Sequence, residues 1–427
     1  MRTKKSFWVL IALIFFSIMM IWFTRRFSYT PHAEDMFIRL AFLGGLFLIV
    51  NWFWTFISIK KLTINRKQRL LRLQVGNVFE EEYEIVNPIR FSRLWVEIED
   101  LSNLPGSPGS KIISGLQGKE NRFYNSRTIL TRRGAFQLGP TRLRSGDIFG
   151  MFSSEKIIPD HDRLIVFPYF EKLRKFVQPP GYIQGGRSIR QKSLEATAFA
   201  SGVREYQPGD PLSRIHWKTS AKKNRFMVKE FDQDPQADIW IIIDGNKEDN
   251  FQQEEIQELS FNDIFWEIKK KSKYQLPKDT FEYAISIAAS LASYFIDIEK
   301  AVGMACADSI LSMIPAEKGI RQLGKILDTM TYFEGKGLKK IVEVVESIGN
   351  QIVRGSTVII VSASDISDLQ VCMEILMRRK LKPILVHINK DSFLTNNFKK
   401  KNLGNSVVSD IDINFGDSIS AKLETII

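Results

Sequence analysis

The sequence predicts a membrane-anchored multidomain protein: a two-helix transmembrane hairpin, a β-sandwich-like domain, then a doubly wound α/β domain. Three observations carry this reading. Two long apolar stretches stand together at the N-terminal end. Short β-rich runs separated by turn residues follow them. Further on, continuous apolar runs alternate with amphipathic helical segments. The boundaries expected are 1–61 for the hairpin, 62–170 for the β domain, 171–237 for a connector and 238–427 for the α/β domain.

The helices are expected over about 7–23 and 36–59. A bilayer core takes roughly 20 apolar residues as helix, with about 17 as the lower limit. FWVLIALIFFSIMMIWF just reaches that limit, and the second stretch exceeds it despite Asn51. Arg39 can snorkel to the headgroups, and Trp8, Trp22, Trp52 and Trp54 sit where interfacial aromatics gather. A cleaved signal peptide is the competing reading of the first stretch, but no small-x-small cleavage site follows it. Lys and Arg are denser before the first stretch and after the second (Lys60, Lys61, Arg66, Lys67, Arg69, Arg72) than in the loop between them. The positive-inside bias therefore predicts a multi-pass membrane protein with its N-terminus and body in the cytoplasm.

About 365 residues follow the hairpin, which suits two cores better than one. Cys306 and Cys372 fall in apolar runs and form no disulfide framework, in keeping with a reducing compartment. Four scattered histidines lack metal-ligand spacing. The net charge of +12 includes the basic cluster beside the second helix, which suits anionic lipid. Without a zinc-finger, helix-turn-helix or aromatic-basic motif, no nucleic-acid partner is expected.

Strands are expected at 70–75, 82–86, 94–98, 128–130, 135–138 and 163–167, with turn signals between them. From residue 238 the pattern changes. Strands are expected at 239–243, 301–307, 357–361 and 383–388, and helices at 279–298, 317–332, 338–348 and 367–379. The charged segment 247–278 reads as a solvated insertion, although Phe261, Phe265 and Trp266 form an amphipathic patch within it. In a parallel sheet ligands sit beyond the carboxyl ends of the strands. Asp244 ends the first strand, and Ser362, Ser364 and Asp365 follow the third. Oxygen ligands of that kind suit a magnesium ion, and the same residue types also cap helices and make Asx turns.

The most distinctive segment is 201–232. Arg204, Tyr206, Gly209 and Asp210 are followed there by Arg214, Ile215, Trp217 and Lys218, with Ser220 and Ala221 next. Pro208-Gly209 suits a type II turn, and Arg204, Asp210 and Arg214 suit a charged network bracing it. An extended reading of 215–217 puts Ile215 and Trp217 on one face and His216 on the other.

This segment closely resembles the signature of bacterial membrane proteins grouped as domain of unknown function 58 (DUF58). Asn87-Pro88, Arg132-Arg133-Gly134, Asp147-Ile148-Phe149-Gly150 and Val166-Phe167-Pro168 agree with that family's plan. The resemblance implies a C-terminal domain similar to a von Willebrand factor A domain. It also implies genetic company with MoxR-type AAA+ ATPases and transglutaminase-like membrane proteins, and no established enzymatic activity. One departure stands out. The A-domain metal motif runs Asp-x-Ser-x-Ser, whereas this chain reads Asp244-Gly245-Asn246-Lys247-Glu248.

The function expected is a non-catalytic, membrane-anchored scaffold or adaptor for protein partners, a MoxR-type ATPase among them. Its setting would be cell-envelope or stress-related assembly. The signature residues Arg204, Tyr206, Gly209, Asp210, Arg214, Ile215, Trp217 and Lys218 are the expected contact set. No catalytic residue and no cofactor other than magnesium is expected, since the chain has no P-loop, G-x-S-x-G or H-E-x-x-H. Two alternatives stay open. One is an enzyme or anion-binding protein using Arg204, Asp210, Arg214, His216, Lys218, Lys222 and Lys223. The other is metal-dependent ligand binding through Asp244, Ser362, Ser364 and Asp365.

Overall fold

The computed structural model describes residues 2–27, 31–106, 109–160, 162–176, 200–207, 212–231, 238–252, 274–394 and 411–425. The chain forms two units: Met1–Tyr169 with Glu255–Tyr274, and Phe170–Glu254 with Gln275–Ile427.

The first unit opens with a two-residue strand β1 (Arg2–Thr3) and the helices α1 (Lys5–Phe27) and α2 (Pro31–Ser58). Both helices are long and apolar enough to cross a membrane. α1 overruns the expected span at both ends and α2 at its start, and within the spans three polar side chains bond to their own helix: Ser17 to the Leu13 carbonyl, Asn51 to that of Phe47 and Ser58 to that of Thr55. In an apolar surround such internal bonds spare the cost of an unpaired polar group. The helices close tightly at Gly44, where an added Cβ would stand 2.8 Å from Ile14 Cγ1. An Arg25–Glu34 ion pair of 2.7 Å ties the ends of the hairpin.

The sheet-rich body then runs β2 (Thr63–Gln68), β3 (Arg72–Gln74), β4 (Val78–Val86), β5 (Arg93–Asp100), β6 (Lys111–Leu116), β7 (Asn121–Ile129), β8 (Gly134–Gln137), β9 (Thr141–Gly146), β10 (Phe152–Ile158) and β11 (Arg163–Phe167). The sheets are ordered β1-β10-β9-β5-β6, β2-β4-β7 and β3-β11-β8. Ile64, Tyr83, Ile85 and Tyr124 of the second sheet pack against Val96, Ile98, Ile113 and Leu143 of the first, so alternate residues of each strand meet in one core. Val75, Phe79, Leu130, Phe136, Leu164 and Val166 make a second core at β3-β11-β8. The body is clamped to α2 by Arg93, which donates to the carbonyls of Ile57 and, at 2.9 Å, Lys60. A cation on the last carbonyls of a helix is stabilising. Burial alone pulls the Arg93 guanidinium down to about 10.

The second unit begins with β12 (Ala200–Glu205), a 3₁₀ turn (Leu212–Arg214), α3 (Trp217–Lys223) and β13 (Met227–Phe231), the two strands pairing antiparallel. The α/β part follows: β14 (Ile239–Ile243), α4 (Thr280–Asp297), β15 (Val302–Ala307), β16 (Leu311–Glu317), α5 (Ile320–Thr331), α6 (Ile341–Gly349), β17 (Thr357–Ser362), α7 (Ile366–Arg378), β18 (Lys382–Ile388), α8 (Lys390–Leu394), β19 (Ile411–Ile413) and α9 (Ile419–Glu424). The strand order is β16-β15-β14-β17-β18-β19, parallel except for β16. Each residue of β14, β15 and β17 is buried, which is why these strands read as unbroken apolar runs. The segment expected to be helical from 317 starts at Ile320, because β16 ends at Glu317. Pro315 disguises β16 as a loop, yet an edge strand tolerates proline. At α4 the Asp279 carboxylate accepts the N–H groups of Phe281 (2.7 Å) and Glu282 (3.2 Å), which fixes the helix start.

Candidate functional site

Sheet order places one candidate site. β14 leads on to β15 on one side and its neighbour β17 leads on to β18 on the other, so the connections leave the C-terminal ends of this pair in opposite directions. That reversal is the crevice where open α/β sheets bind ligands. Ile243 pairs with Val361, which sets Asp244 beside Ser362. Asp244 is 1% exposed, and one carboxylate oxygen accepts the hydroxyls of Ser362 and Ser364, both at 2.5 Å. The other oxygen accepts the Asn246 N–H at 3.0 Å. Burial pushes the Asp244 carboxyl up, and the serine and Asn246 bonds only partly offset it. The floor is equally closed: Asn250 donates to the carbonyls of Asp244 and Asn246, and Gly245 and Gly337 share a backbone bond of 2.8 Å. A Cβ on Gly245 would meet the Ala307 carbonyl oxygen at 2.6 Å.

Three of the four expected metal residues therefore meet, but their lone pairs and hydroxyl protons point at one another. Asp365 stands apart: its residue is exposed at the N-cap position of α7, and its side chain makes no capping bond. At the two positions that carry serine in the A-domain motif, Asn246 spends its side-chain oxygen on the Glu248 N–H, while Glu248 is exposed. A divalent cation needs several free oxygens directed inward. This set does not fit one as it stands, and among the described residues no group of three or more His, Cys, Asp or Glu side chains converges.

The signature segment forms the second candidate site. Gly209 and Asp210 lie outside the described residues, as do the side chain of Arg214 and the patch at Phe261, Phe265 and Trp266. The remainder divides into internal staples and displayed groups. Ile215 is buried and bridges Val228, and the His216 N–H donates to the Met227 carbonyl at 2.8 Å. Buried Ser220 accepts the Met227 N–H at 2.9 Å and donates to the His216 carbonyl at 3.0 Å, locking α3 onto β13. Ser220→Ala is expected to cost about 1–2 kcal/mol, because it orphans a buried N–H. Thermal unfolding of the full chain in detergent checks this.

Residues 215–217 are not an extended stretch with Ile215 and Trp217 on one face. His216 is the N-cap of α3, its Nδ1 accepting the Thr219 N–H at 3.1 Å, and the turn of helix swings Trp217 outward. Trp217 is 65% exposed and meets Phe226 edge-on at 6.3 Å, and Tyr206 also meets Phe226 edge-on, at 6.2 Å. Exposed Leu212 and Lys218 belong to the same short segment. Arg204 lies on β12 and donates to the Glu205 carbonyl, while Lys222 and Lys223 end α3 on its exposed side.

A polar centre inside the β body escaped the sequence reading. Arg66 donates to Glu81 (2.6 Å) and to both oxygens of Asp100 (3.2 and 3.3 Å), and all three side chains are nearly sealed from water. The Tyr83 hydroxyl donates to both acids, and its ring stacks on Tyr124 at 4.8 Å. Burial raises the Glu81 carboxyl, and Arg66 opposes that rise. Alternation along β2 and β4 was the only available signal, since three charged residues so far apart in sequence give no motif. Asn87 is likewise internal, holding the carbonyls of Phe91 and Gln117 at 2.9 and 2.7 Å.

These features define a class: two apolar N-terminal helices, a sheet-rich body, and a mostly parallel α/β unit preceded by a stapled aromatic hairpin. Comparison with known proteins agrees on the hairpin. Residues 202–262 match the family model described as protein of unknown function DUF58. The chain is also similar to the uncharacterized protein YeaD of Bacillus subtilis (strain 168), 24% identical over 229 residues, 51% of this chain and 56% of that one. The match thus spans little more than half of this relative's length. Both matches support the DUF58 family. Among solved structures, a CARDB domain from Pyrococcus furiosus aligns over 25% of this chain and 92% of its own, with 13% identity and a TM-score of 0.18. A β-glucosidase from Listeria innocua aligns over 24% of this chain and 16% of its own, with 11% identity and a TM-score of 0.13.

Proposed function

We propose that the protein is a membrane-anchored, non-catalytic adaptor whose signature hairpin docks a protein partner. The hairpin of α1 and α2 holds it in the cell membrane as a multi-pass protein, with the N-terminus and body in the cytoplasm. The parallel unit is of von Willebrand factor A type with a sealed strand-end site. A MoxR-type AAA+ ATPase is the partner of choice, by the family resemblance, and cell-envelope or stress-related assembly is the setting.

One observation carries this reading. The segment matched by the family model holds its internal residues by backbone staples and leaves Trp217 and Phe226 half or more exposed, in mutual contact. Fold alone needs Ile215 and Ser220, whereas it gains little from a displayed tryptophan. Exposed aromatic anchors on a rigid support are what interface hot spots are made of. The enzyme alternative relies on His216 as base, but its Nδ1 is occupied as a helix cap.

The test is affinity capture of the tagged full chain from its native membrane, with magnesium and ATP present, wild type beside Trp217→Ala/Phe226→Ala. An AAA+ ATPase should be retained by wild type and fall at least tenfold in the variant, equivalent to about 1.4 kcal/mol or more. Unfolding temperature should stay within a few degrees. Equal retention by both proteins, or no ATPase with either, refutes the assignment.

A further inference from the structure

We infer that the β9–β10 loop is a second membrane element, inserting Ile148 and Phe149 into the acyl region of the leaflet that α1 and α2 cross. The proposal rests on the reading of those helices as membrane spans. The loop is Asp147-Ile148-Phe149-Gly150-Met151. Its base is built for rigidity. Asp147, 2% exposed, accepts the N–H groups of Phe149 (3.1 Å), Met151 (3.1 Å) and Phe152 (2.7 Å). Gly150 adopts φ +65°, which lets the chain reverse at the tip.

With three of its backbone donors held by one buried carboxylate, the loop enters an apolar medium at a reduced cost in unpaired N–H groups. What it displays is apolar: Ile148 is 67% exposed and Phe149 55%. No folding requirement explains two large apolar side chains at a solvent-facing tip.

The helices set the depth. Gly44 lies abreast of Ile14, which fixes the register of α2 against α1. The Phe149 ring rests on Phe47 of α2, with centroids 4.8 Å apart. At 1.5 Å per residue, Phe47 lies about 9 Å past the level of Lys5 along the apolar stretch. The loop is held at that level from the other side as well. The Lys4 N–H donates to the Met151 carbonyl at 2.9 Å, β1 pairs with β10, and Phe7 meets Phe152 at 5.2 Å. Lys4 and Lys5 would stand at the headgroups, so the tip beside Phe47 reaches beneath them. The outward residues of α2 around this contact, Leu43, Leu46 and Val50, are exposed too. The lipid that covers them therefore continues over Ile148 and Phe149. The body is then held by three membrane contacts, and its orientation to the bilayer is fixed as well as its tether.

Spin labels read this directly. The natural cysteines are both buried, so a nitroxide reagent applied to the folded full chain goes to an introduced cysteine. Phe149→Cys and Ile148→Cys are compared with Phe15→Cys on α1 and Ile112→Cys on β6, two exposed references. The protein is reconstituted in vesicles of phosphatidylglycerol and phosphatidylethanolamine, and collisions with oxygen and with a water-soluble nickel chelate are measured. At 148 and 149 the oxygen-to-nickel ratio should match Phe15 and exceed Ile112 several-fold. A ratio like that of Ile112, with Phe15 still oxygen-rich, overturns the loop insertion and leaves the hairpin intact. Nickel access at Phe15 as well overturns both. Collisions with neither reagent at 148 and 149 show burial against protein and also overturn the insertion.

Discussion

Arg66→Met is expected to destabilise the β body by about 3–5 kcal/mol at neutral pH, the loss typical when one partner of a buried ionic cluster is removed. In the native chain one guanidinium lies between the carboxylates of Glu81 and Asp100, and the Tyr83 hydroxyl bonds to both. Taking it away leaves two buried acids facing each other without a cation. That is a large share of the roughly 5–15 kcal/mol that holds a typical domain together. The pH dependence identifies the cause. Burial already raises the Glu81 carboxyl, and Arg66 is the chief group holding it down. In the variant it rises further, so the native state binds a proton that the unfolded state has released. Stability then falls as pH rises from the ordinary glutamate range toward the raised folded value. The deficit relative to wild type should therefore be smaller at pH 5 than at pH 7.5, and Arg66→Met/Glu81→Gln should recover part of it at pH 7.5. Denaturant unfolding of the full chain in detergent measures all three. A deficit below about 1 kcal/mol, or one independent of pH, would mean that the cluster is hydrated and does not brace the β body.

What was legible in the sequence follows from what each element buries. α1, α2, β14 and β17 announce themselves because they are apolar on all sides, and α4 because its cap and its small apolar residues agree. β9 and β10 do not: TRLRSG and FSSEKII each carry more polar than apolar residues, since part of each strand is only half-buried or exposed. β16 hides behind Pro315, and β6 behind Gly115 at φ +65°. At the strand-end site the sequence brought Asp244 and Ser362 to adjoining strand ends, because a parallel sheet with a switch point leaves few places for them. It could not show that the serine hydroxyls turn inward onto the carboxylate, since that depends on rotamers. For the same reason it mistook 215–217 for an extended run. The Asn-like role of His216 as a helix cap has no periodicity, and a single turn of helix moves Trp217 to another face. The Arg66 cluster was invisible for a different reason, being assembled from three strands or strand ends whose register only the folded sheets define.

Asp244 decides between a sealed brace and a metal-binding remnant, and the two make opposite predictions. As a brace, its carboxylate serves three donors: two serine hydroxyls and the Asn246 N–H. Asp244→Ala orphans all three, and at about 1–3 kcal/mol for each buried unsatisfied group the loss should approach 3 kcal/mol or more, less whatever is recovered by removing a buried charge. Asp244→Asn should cost less, since its amide oxygen can still accept from both serines, although its NH₂ then faces the Asn246 N–H. The sign of the pH effect follows from the raised carboxyl. The native state holds its proton to higher pH than the unfolded state does, so the contribution of Asp244 is greatest below the ordinary aspartate range and declines as pH rises through the folded value. The advantage of wild type over Asp244→Asn should accordingly narrow between pH 4 and pH 8, and magnesium or manganese should leave both unfolding temperatures unchanged. An occupied cation site demands the reverse. The carboxylate would then be favoured in its charged form, the advantage would widen with pH, and added metal would raise the wild-type transition alone. Unfolding free energies across that pH range, with and without the metals, separate the two outcomes on one pair of proteins. Ser362 and Ser364 lose their acceptor in Asp244→Ala under either reading, so the pH slope and the metal response are the discriminating quantities, and the size of the loss is not.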